Sequence, residues 1–100
     1  MKYDLKFPSA SVEEKFHKVL SRLPADTQDR VMEAVEKLVD EPHPYGPLDS
    51  LKLKPPAAIY QYAAQYRLRA GGYRVLYDVD TKRRIVWVLA LRRRNEQTYK

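Results

Sequence analysis

Residues 65–79, QYRLRAGGYRVLYDV, contain the pattern of a β-hairpin and decide the fold. Apolar and polar side chains alternate on both sides of Gly71-Gly72, as is typical of half-buried strands. Two adjacent glycines supply both positive-φ residues that a type I′ turn requires. The sequence therefore predicts two antiparallel strands in which Ala70 faces Tyr73.

This turn determines which side chains share a face of the hairpin. On the polar face Arg69 meets Arg74, and Arg67 lies on the same side. A slip of one residue would bury these arginines, so we expect the register to be strongly favoured. The predicted cross-strand pairs of the apolar face are Tyr66 with Tyr77, Leu68 with Val75, and Ala64 with Val79.

Placing Arg69 against Arg74 is unfavourable unless something compensates the two charges. Like charges opposite each other destabilise a sheet. At a separation of about 6 Å, one pair costs about 0.7 kcal/mol in water and roughly 3 kcal/mol at an effective dielectric constant near 20. An anion bound between the arginines would offset this cost. The alternative is pairing with acidic side chains of a helix or loop, although only Asp78 and Asp80 are close in sequence.

The charge of the chain is unevenly distributed. The net charge is +6, but residues 1–50 carry seven Lys/Arg and ten Asp/Glu (−3), whereas residues 51–100 carry twelve and three (+9). A basic half of this kind is the usual footprint of a phosphate-binding surface, and charge alone fits a solvated basic face equally well.

Length and composition limit the classes of protein. We expect residues 1–100 to form one soluble, cytoplasmic domain, because the chain is too short for two cores and shows no signal-peptide or membrane-spanning pattern. Cysteine is absent, His17 is expected at the surface and His43 in a loop, and no His, Asp or Glu grouping has metal-ligand spacing. The sequence therefore predicts no metal or other cofactor.

The N-terminal half predicts a strand and two helices. Residues 2–7 alternate as a short strand that Pro8 ends. Ser11 and Glu14 have the spacing of a capping box, and Asp26 is placed to cap a second helix. Apolar residues follow at helical spacing: Val12, Phe16, Val19, Leu20 and Leu23 in the first helix, and Val31, Ala34, Val35, Leu38 and Val39 in the second.

The C-terminal half predicts a loop and three strands. Residues 41–58 hold five of the seven prolines and are expected to form a loop. Alternation starts at Ile59, so Tyr60 and Tyr62 are expected in the core of a long strand. The apolar run from Arg84 to Arg92 is expected to be an internal strand.

The turn around Thr81-Lys82 determines the faces of this last strand. A turn of two or four residues places Trp87, Leu89, Leu91 and Arg93 on the arginine side, and Val86, Val88 and Ala90 on the helix side. A turn of three residues would reverse both sets.

Together these elements predict an α+β fold: an N-terminal strand, a two-helix hairpin and a three-stranded antiparallel meander, with the helices packed on one face of the sheet. The residues expected to be buried between the layers are Tyr66, Leu68, Val75, Tyr77, Val86 and Val88 of the sheet, and Phe16, Val19, Leu20, Val31, Val35 and Leu38 of the helices.

This order of elements, with YRLRAGGYRVLYDV and the closing LRRRNEQTY, resembles the RelE/ParE superfamily of bacterial toxins from type II toxin–antitoxin pairs. The resemblance covers essentially the whole chain. In the RelE branch it implies a ribosome-dependent, metal-independent messenger-RNA endonuclease. The 2′-hydroxyl attacks the adjacent phosphate and leaves a 2′,3′-cyclic phosphate and a 5′-hydroxyl, which needs a base, an acid and positive charge around the phosphate.

The resemblance also implies roles for single residues. Arg74 matches the arginine of the family's G-Y-R motif, which stabilises the phosphate, and Arg93 matches the arginine of the last strand, which stabilises charge or protonates the leaving group. Tyr99 matches a C-terminal tyrosine that orients the nucleotide. Arg67 completes the implied catalytic set. The implied RNA-binding set is Lys52, Lys54, Gln65, Arg69, Arg92 and Arg94.

The chain departs from the family at the general base. Gln65 and Arg67 occupy two positions where RelE-type members often carry lysine. A lysine pKa can be lowered enough for base catalysis, whereas arginine keeps its proton and glutamine does not titrate. Three alternatives stay open: Lys52 or Lys54 moves in, Tyr99 serves as a tyrosinate, or the enzyme relies on positioning and charge alone.

Two other functions fit the same resemblance. The ParE branch shares the fold but poisons DNA gyrase without ribonuclease activity, and a third alternative is a nucleic-acid-binding relative that has lost activity. The implied partners are an antitoxin encoded nearby, the ribosome with its messenger RNA, and operator DNA bound through the antitoxin. No membrane partner is expected.

Overall fold

The computed structural model describes residues 2–43 and 50–93. Two helices pack on one face of a five-stranded sheet with the order β1-β5-β4-β3-β2, in which only β1 pairs in parallel, with β5. The elements are β1 (Asp4–Lys6), α1 (Ala10–Leu20), α2 (Ala25–Lys37), β2 (Ser50–Ile59), β3 (Tyr62–Ala70), β4 (Tyr73–Asp80) and β5 (Ile85–Arg93). This confirms the predicted α+β class, the helical hairpin and the internal position of the last strand. Neither helix is long and apolar enough to span a membrane.

Both predicted helix caps are wrong by a few residues. Helix α1 begins after Ser9, whose Oγ accepts a hydrogen bond from the N–H of Val12 at 3.2 Å, so Ser11 already lies inside the first turn. Helix α2 begins after Pro24 and has no side-chain cap. A proline fits there because the first N–H groups of a helix have no intrahelical partner. Asp26 lies in the first turn instead and accepts from its neighbour's N–H.

The core between the helices and the sheet is as predicted. Val31, Leu38, Leu68, Val75 and Tyr77 are fully buried there. The other members of this cluster are Phe16, Leu20, Leu23, Val35, Ala70, Val86, Val88 and Leu91, with Val19 and Tyr66 partly buried against them.

The Gly71-Gly72 hairpin has the predicted register. Tyr66 faces Tyr77 and Arg69 faces Arg74, and Gly71 adopts a φ of 61° in the turn. The prediction for Ala64 is wrong, because the register between β3 and β4 extends only from Tyr66 to Ala70 along β3. Ala64 pairs with Ala57 of β2 instead and is buried on the other face of the sheet.

Strand β2 overlaps residues 41–58, which the proline content predicts to be a loop, so that prediction is wrong for residues 50–58. Pro55 and Pro56 fall where the pairing with β3 is irregular, between Lys52 and Ala57. Because β2 is an edge strand, a proline there removes no required ladder hydrogen bond.

The end of the β2–β3 hairpin covers the face of the sheet away from the helices. Ala57 and Ile59 of β2 pack there with Leu76 of β4 and Leu89 of β5. The remaining residues of this second cluster are Leu53, Ala64 and Ala90, with Tyr62 and Trp87 partly buried beside them. The sheet therefore has a core on both faces, and the second one restricts access to the arginine side.

A bulge in β5 changes the faces of its last residues. Tyr77 faces Val88 but Leu76 faces Ala90, so Leu89 is an extra residue between them. A bulge of this kind reverses the alternation that follows it. The predicted sides of Ala90, Leu91 and Arg93 are therefore wrong. The turn before β5 has four residues, one of the two lengths from which the faces were assigned, as the pairing of Asp80 with Ile85 shows.

The segment after α2 is fixed to the sheet by one buried hydrogen bond. The hydroxyl of Tyr77 donates to the carbonyl oxygen of Pro42 at 2.6 Å, and both residues are fully buried. Burial raises the pKa of Tyr77 to about 12. The phenol therefore stays protonated and keeps this bond across the ordinary pH range.

Candidate nucleic-acid interface

Three arginines form a row across neighbouring strands, which we call the arginine row: Arg69 on β3, Arg74 on β4 and Arg92 on β5. Arg69 is the cross-strand partner of Arg74 on one side, and Arg92 is its partner on the other. All three side chains are half-buried. The bulge at Leu89 brings Arg92 into this row. The register predicted from the sequence had placed Arg93 on this face instead, because it did not include the bulge.

Acidic side chains of the described residues do not compensate Arg69 or Arg92. Neither Arg69 nor Arg92 forms an ion pair with another described residue, and the buried Nε of Arg69 donates no hydrogen bond within that part of the chain. Asp80 pairs with Arg83 in the turn, at 3.9 Å. Asp78 is four residues along β4 from Arg74, about 13 Å at the usual strand rise. Burial raises the pKa of Asp78, which fits a carboxyl without a nearby cation.

Arg67 lies on the same face but is largely covered. It pairs with Leu51 of β2 and with Leu76 of β4, and only 9% of it is exposed. It is the least accessible of the predicted arginines that the structure describes. Its position suits electrostatic support of the row better than extensive contact with a ligand.

The other predicted residues do not join the row. Lys52 pairs with Tyr66 and shares its face, which is the helix side. Lys54 is exposed in the irregular part of β2, and Gln65 is half-buried on β3 opposite that part. Tyr99 and Arg94 lie outside the described residues.

Arg93 belongs to a different feature, a cleft of about 630 Å³ between α1, the end of β5 and the tip of the β2–β3 hairpin. Arg93 is exposed and pairs with Tyr73, on the helix side. We call this feature the basic cleft. The charged and aromatic residues that line it are Lys15, Lys18, Arg22, Arg92, Arg93, Tyr60 and Tyr73, with Phe16, Val19, Leu23, Leu89, Ala90 and Leu91 between them.

Sequence reasoning missed this cleft, although a usable pattern is present. Lys15, Lys18 and Arg22 follow one another at i, i+3 and i+7, the spacing that places side chains on one side of a helix. The pattern does not show that Tyr60 also lines the cleft, because Tyr60 lies at the tip of a hairpin whose first strand was predicted to be a loop.

The prediction that Tyr60 is a core residue is wrong. It lies between β2 and β3, is 55% exposed and has a φ of 57°. The Nζ atom of Lys15 lies 4.2 Å from the centroid of its ring, a cation–π contact. Tyr62, by contrast, packs against the second core cluster, as predicted.

The arrangement is suited to binding a polyanion. The arginine row provides donors for a phosphate, and the basic cleft adds more cations beside two tyrosines. Groups of three or more His, Asp or Glu side chains that could hold a metal ion do not occur among residues 2–43 and 50–93.

Comparison with known proteins places the chain in a clear context. Residues 9–98 match the family model described as the ParE toxin of the type II toxin–antitoxin system parDE. The toxin in the archaeal RelE–RelB complex of Pyrococcus horikoshii is 30% identical, with a TM-score of 0.70, over 96% of this chain and 99% of that one. Among curated sequences, none is similar enough to be called a relative.

Two further structures support the fold alone. A chain of the Mycobacterium tuberculosis toxin–antitoxin complex RelBE2 is 23% identical with a TM-score of 0.66, over 94% of this chain and 100% of that one. A mutant of the Escherichia coli toxin RelE in the free state is 19% identical with a TM-score of 0.54, over 95% and 86%.

Proposed function

Because this chain belongs to the RelE/ParE superfamily and is a toxin of a type II toxin–antitoxin system, we propose that it is a ribosome-dependent messenger-RNA endonuclease of the RelE kind. The observation that carries this proposal is the arginine row, in which Arg74 is flanked on both sides by arginine. Like charges opposite each other destabilise a sheet, and a bound anion offsets part of that cost. A phosphodiester supplies that anion.

The proposed reaction is an internal transesterification. The 2′-oxygen attacks the adjacent phosphorus, the bond to the 5′-oxygen of the next nucleotide breaks, and the products carry a 2′,3′-cyclic phosphate and a 5′-hydroxyl. The phosphorane in between carries additional negative charge, which preorganised donors stabilise more strongly than the starting phosphodiester. Arg74 is the central donor in this assignment.

The register favours Arg92 over Arg93 as the second donor, because only Arg92 stands opposite Arg74. Arg93 then contributes to binding from the basic cleft. Arg69 completes the phosphate site from the third strand, and Arg67 supports its positive potential from beneath.

Proton transfer is assigned to positioning and to Tyr99. Lysine, histidine and tyrosine are absent from the row itself, and Lys52 shares the face of Tyr66. A cluster of guanidinium groups favours ionisation of nearby acids, including a tyrosine hydroxyl. In this proposal Tyr99 orients the nucleotide, its tyrosinate takes the 2′-hydroxyl proton, and the phenol so formed gives a proton to the departing 5′-oxygen.

Inhibition of DNA gyrase is the second candidate function. The match of residues 9–98 to the family model described as ParE toxin favours it. A gyrase inhibitor needs no general base, which fits Gln65 and Arg67 at positions where RelE-type members often carry lysine. The same basic surface would then contact protein or DNA.

An antitoxin is the proposed partner in either case. The solved relatives from Pyrococcus horikoshii and Mycobacterium tuberculosis are toxin–antitoxin complexes. We propose a small protein encoded nearby whose acidic or amphipathic segment covers the basic surface, and whose own DNA-binding part carries the complex to operator DNA.

The experiment that tests the function is induction of the chain alone in a host, followed by mapping of cellular RNA 5′ ends. Cuts in phase with codons that leave 5′-hydroxyl ends are the expected result. Intact messenger RNA together with double-strand DNA breaks would replace this proposal with the gyrase inhibitor.

A further inference from the structure

The basic cleft has a charge and an exposed aromatic ring that cleavage at the arginine row does not use. We propose that the cleft is a second subsite for single-stranded RNA, in which the α1 cations hold the phosphates of a flanking nucleotide and Tyr60 stacks on its base. This inference rests on the proposed function, since it gives the cleft the same substrate.

The charge of the cleft is not compensated by acidic side chains of the described residues. Five cationic side chains line it, no described Asp or Glu does, and none of the salt bridges between described residues involves these five. Lys15 and Lys18 are separated by about 4.5 Å along the axis of α1, at 1.5 Å per residue, and Arg22 lies in the turn just after the helix ends at Leu20. Like charges at this spacing repel each other and destabilise a helix. Phosphates of a nucleic acid beside them would turn this repulsion into attraction.

The conformation of Tyr60 suggests a specific use of its ring. Its φ of 57° lies in the left-handed region, which a tyrosine adopts at an energetic cost and which glycine or asparagine adopts more readily. More than half of the residue is exposed, so burial does not repay that cost. The contact with Lys15 fixes the ring at the edge of the cleft. Exposed aromatic rings beside cations are how proteins bind single strands by stacking.

The cleft is continuous with the arginine row through one residue. Arg92 pairs with Arg74 and also lines the cleft. β1 pairs with β5 only at Ile85, Val86 and Trp87, so within the described chain the outer edge of β5 is not covered by β1 from Val88 onward. A strand held at the row can pass this edge and enter the cleft.

An acidic protein segment is the other occupant that the charge would suit. The observations favour RNA, because a strained, exposed tyrosine ring matches a base more directly than it matches a carboxylate. Binding of an acidic peptide is therefore measured beside RNA binding in the test.

The test measures binding of a fluorescent single strand of about 12 nucleotides by anisotropy at several salt concentrations, with the purified chain. Tyr60→Gly relieves the backbone strain and removes the ring, so we expect unchanged or higher thermal stability and about 10-fold weaker binding. Tyr60→Phe keeps the ring and should bind as the parent does. A fall in stability of Tyr60→Gly with unchanged RNA binding would overturn the inference.

A charge-matched pair of variants completes the test. The double change Lys18→Gln and Arg22→Gln should weaken binding and reduce the slope of log affinity against log salt by about 1.4, at 0.7 per phosphate contact. The double change Lys82→Gln and Arg83→Gln removes the same charge at the β4–β5 turn. It should leave the RNA affinity and its salt dependence nearly unchanged. Equal losses for the two pairs would mean a general basic surface and would overturn the inference.

Three further outcomes complete the test, and the last two separate this inference from the proposed function. If the cleft variants lose affinity for polyglutamate but keep the RNA affinity of the parent, the inference is overturned in favour of a protein partner. RNA binding that depends on the cleft, in a chain that cuts no RNA on ribosomes, would support the subsite and refute the endonuclease. Normal cleavage on ribosomes together with normal RNA affinity in the cleft variants would support the endonuclease and refute the subsite.

Discussion

Arg74 of β4 and Arg92 of β5 stand directly opposite each other, because the bulge at Leu89 shifts the end of β5 by one residue. Arg69 completes the row on the other side. Three like charges across three strands are a sheet arrangement that stability alone would not favour. The bulge exchanges the places of Arg92 and Arg93 relative to the proposed phosphate site.

This exchange predicts different effects for two neighbouring arginines. Arg92→Ala should lower the single-turnover cleavage rate on programmed ribosomes by about 10²-fold, the scale of losing one transition-state donor. Arg93→Ala should mainly weaken binding and leave the rate on bound substrate nearly unchanged. A large rate loss for Arg93→Ala with little effect of Arg92→Ala would contradict the observed register.

Removing one charge from the arginine row should stabilise the free protein. For Arg69→Gln we expect the free energy of unfolding to rise by about 0.5–1 kcal/mol, after allowance for partial exposure, because a repulsive cross-strand pair is lost. That corresponds to a rise in melting temperature of about 2–8 °C for a domain of this size. Thermal unfolding checks it, and Lys82→Gln in the exposed turn is the control that should change little.

The melting temperature in added phosphate is a second test of the repulsion within the arginine row. An anion that binds the folded row stabilises the parent by mass action. The increase in melting temperature with phosphate should be smaller in Arg69→Gln than in the parent. An equal increase in both proteins would mean that the row does not bind the anion.

The buried phenol of Tyr77 predicts a loss of stability at high pH. Its pKa in the folded chain is about 12, above the ordinary value of 10.0. The contribution of the protonated phenol is complete below pH 10 and is lost as the pH rises from 10 to 12, because the unfolded chain releases its proton first. The total loss is roughly 3 kcal/mol, at about 1.4 kcal/mol per pKa unit.

Tyr77→Phe is the variant that checks this. It removes the bond to the carbonyl of Pro42 and should cost about 1 kcal/mol or somewhat more at neutral pH, because a buried acceptor loses its donor. Its free energy of unfolding should then fall less steeply than that of the parent between pH 10 and 12. Parallel pH profiles for the two proteins would refute the assignment.

The core beneath the helices should be far more sensitive than the edge strand. Leu38 is fully buried, whereas Leu51 on β2 is 49% exposed. Leu38→Ala should lower the free energy of unfolding by about 2–5 kcal/mol, and Leu51→Ala by about 0.5 kcal/mol or less. Urea denaturation measures both, and comparable losses would mean that the helices do not form the main core.

The hairpin and the helix-side core could be predicted because local patterns determine them. Gly71-Gly72 defines the turn, and alternation then fixes Tyr66, Leu68, Val75 and Tyr77 on one face. These residues need no information from elsewhere in the chain. The same local logic also indicated that Arg69 faces Arg74.

The errors occurred where tertiary contacts override local patterns. Pro55 and Pro56 predict a loop, but an edge strand tolerates them at a pairing irregularity. The bulge at Leu89 leaves no mark in the sequence, because its neighbours on both sides in β5 are apolar as well. The basic cleft joins α1 to a hairpin tip about forty-five residues away, since Tyr60 contacts Lys15, and no short pattern encodes that contact.

The central claim is that Arg74 holds the scissile phosphate, and single-turnover cleavage on programmed ribosomes tests it most directly. Arg74→Ala should slow cleavage of bound substrate by about 10²-fold or more, and Arg74→Lys should recover only part of the rate, because a bidentate fork becomes a point charge. Arg83→Ala, an exposed arginine in the β4–β5 turn, should leave the rate intact. Equal and small rate losses for Arg74→Ala and Arg83→Ala would contradict the account.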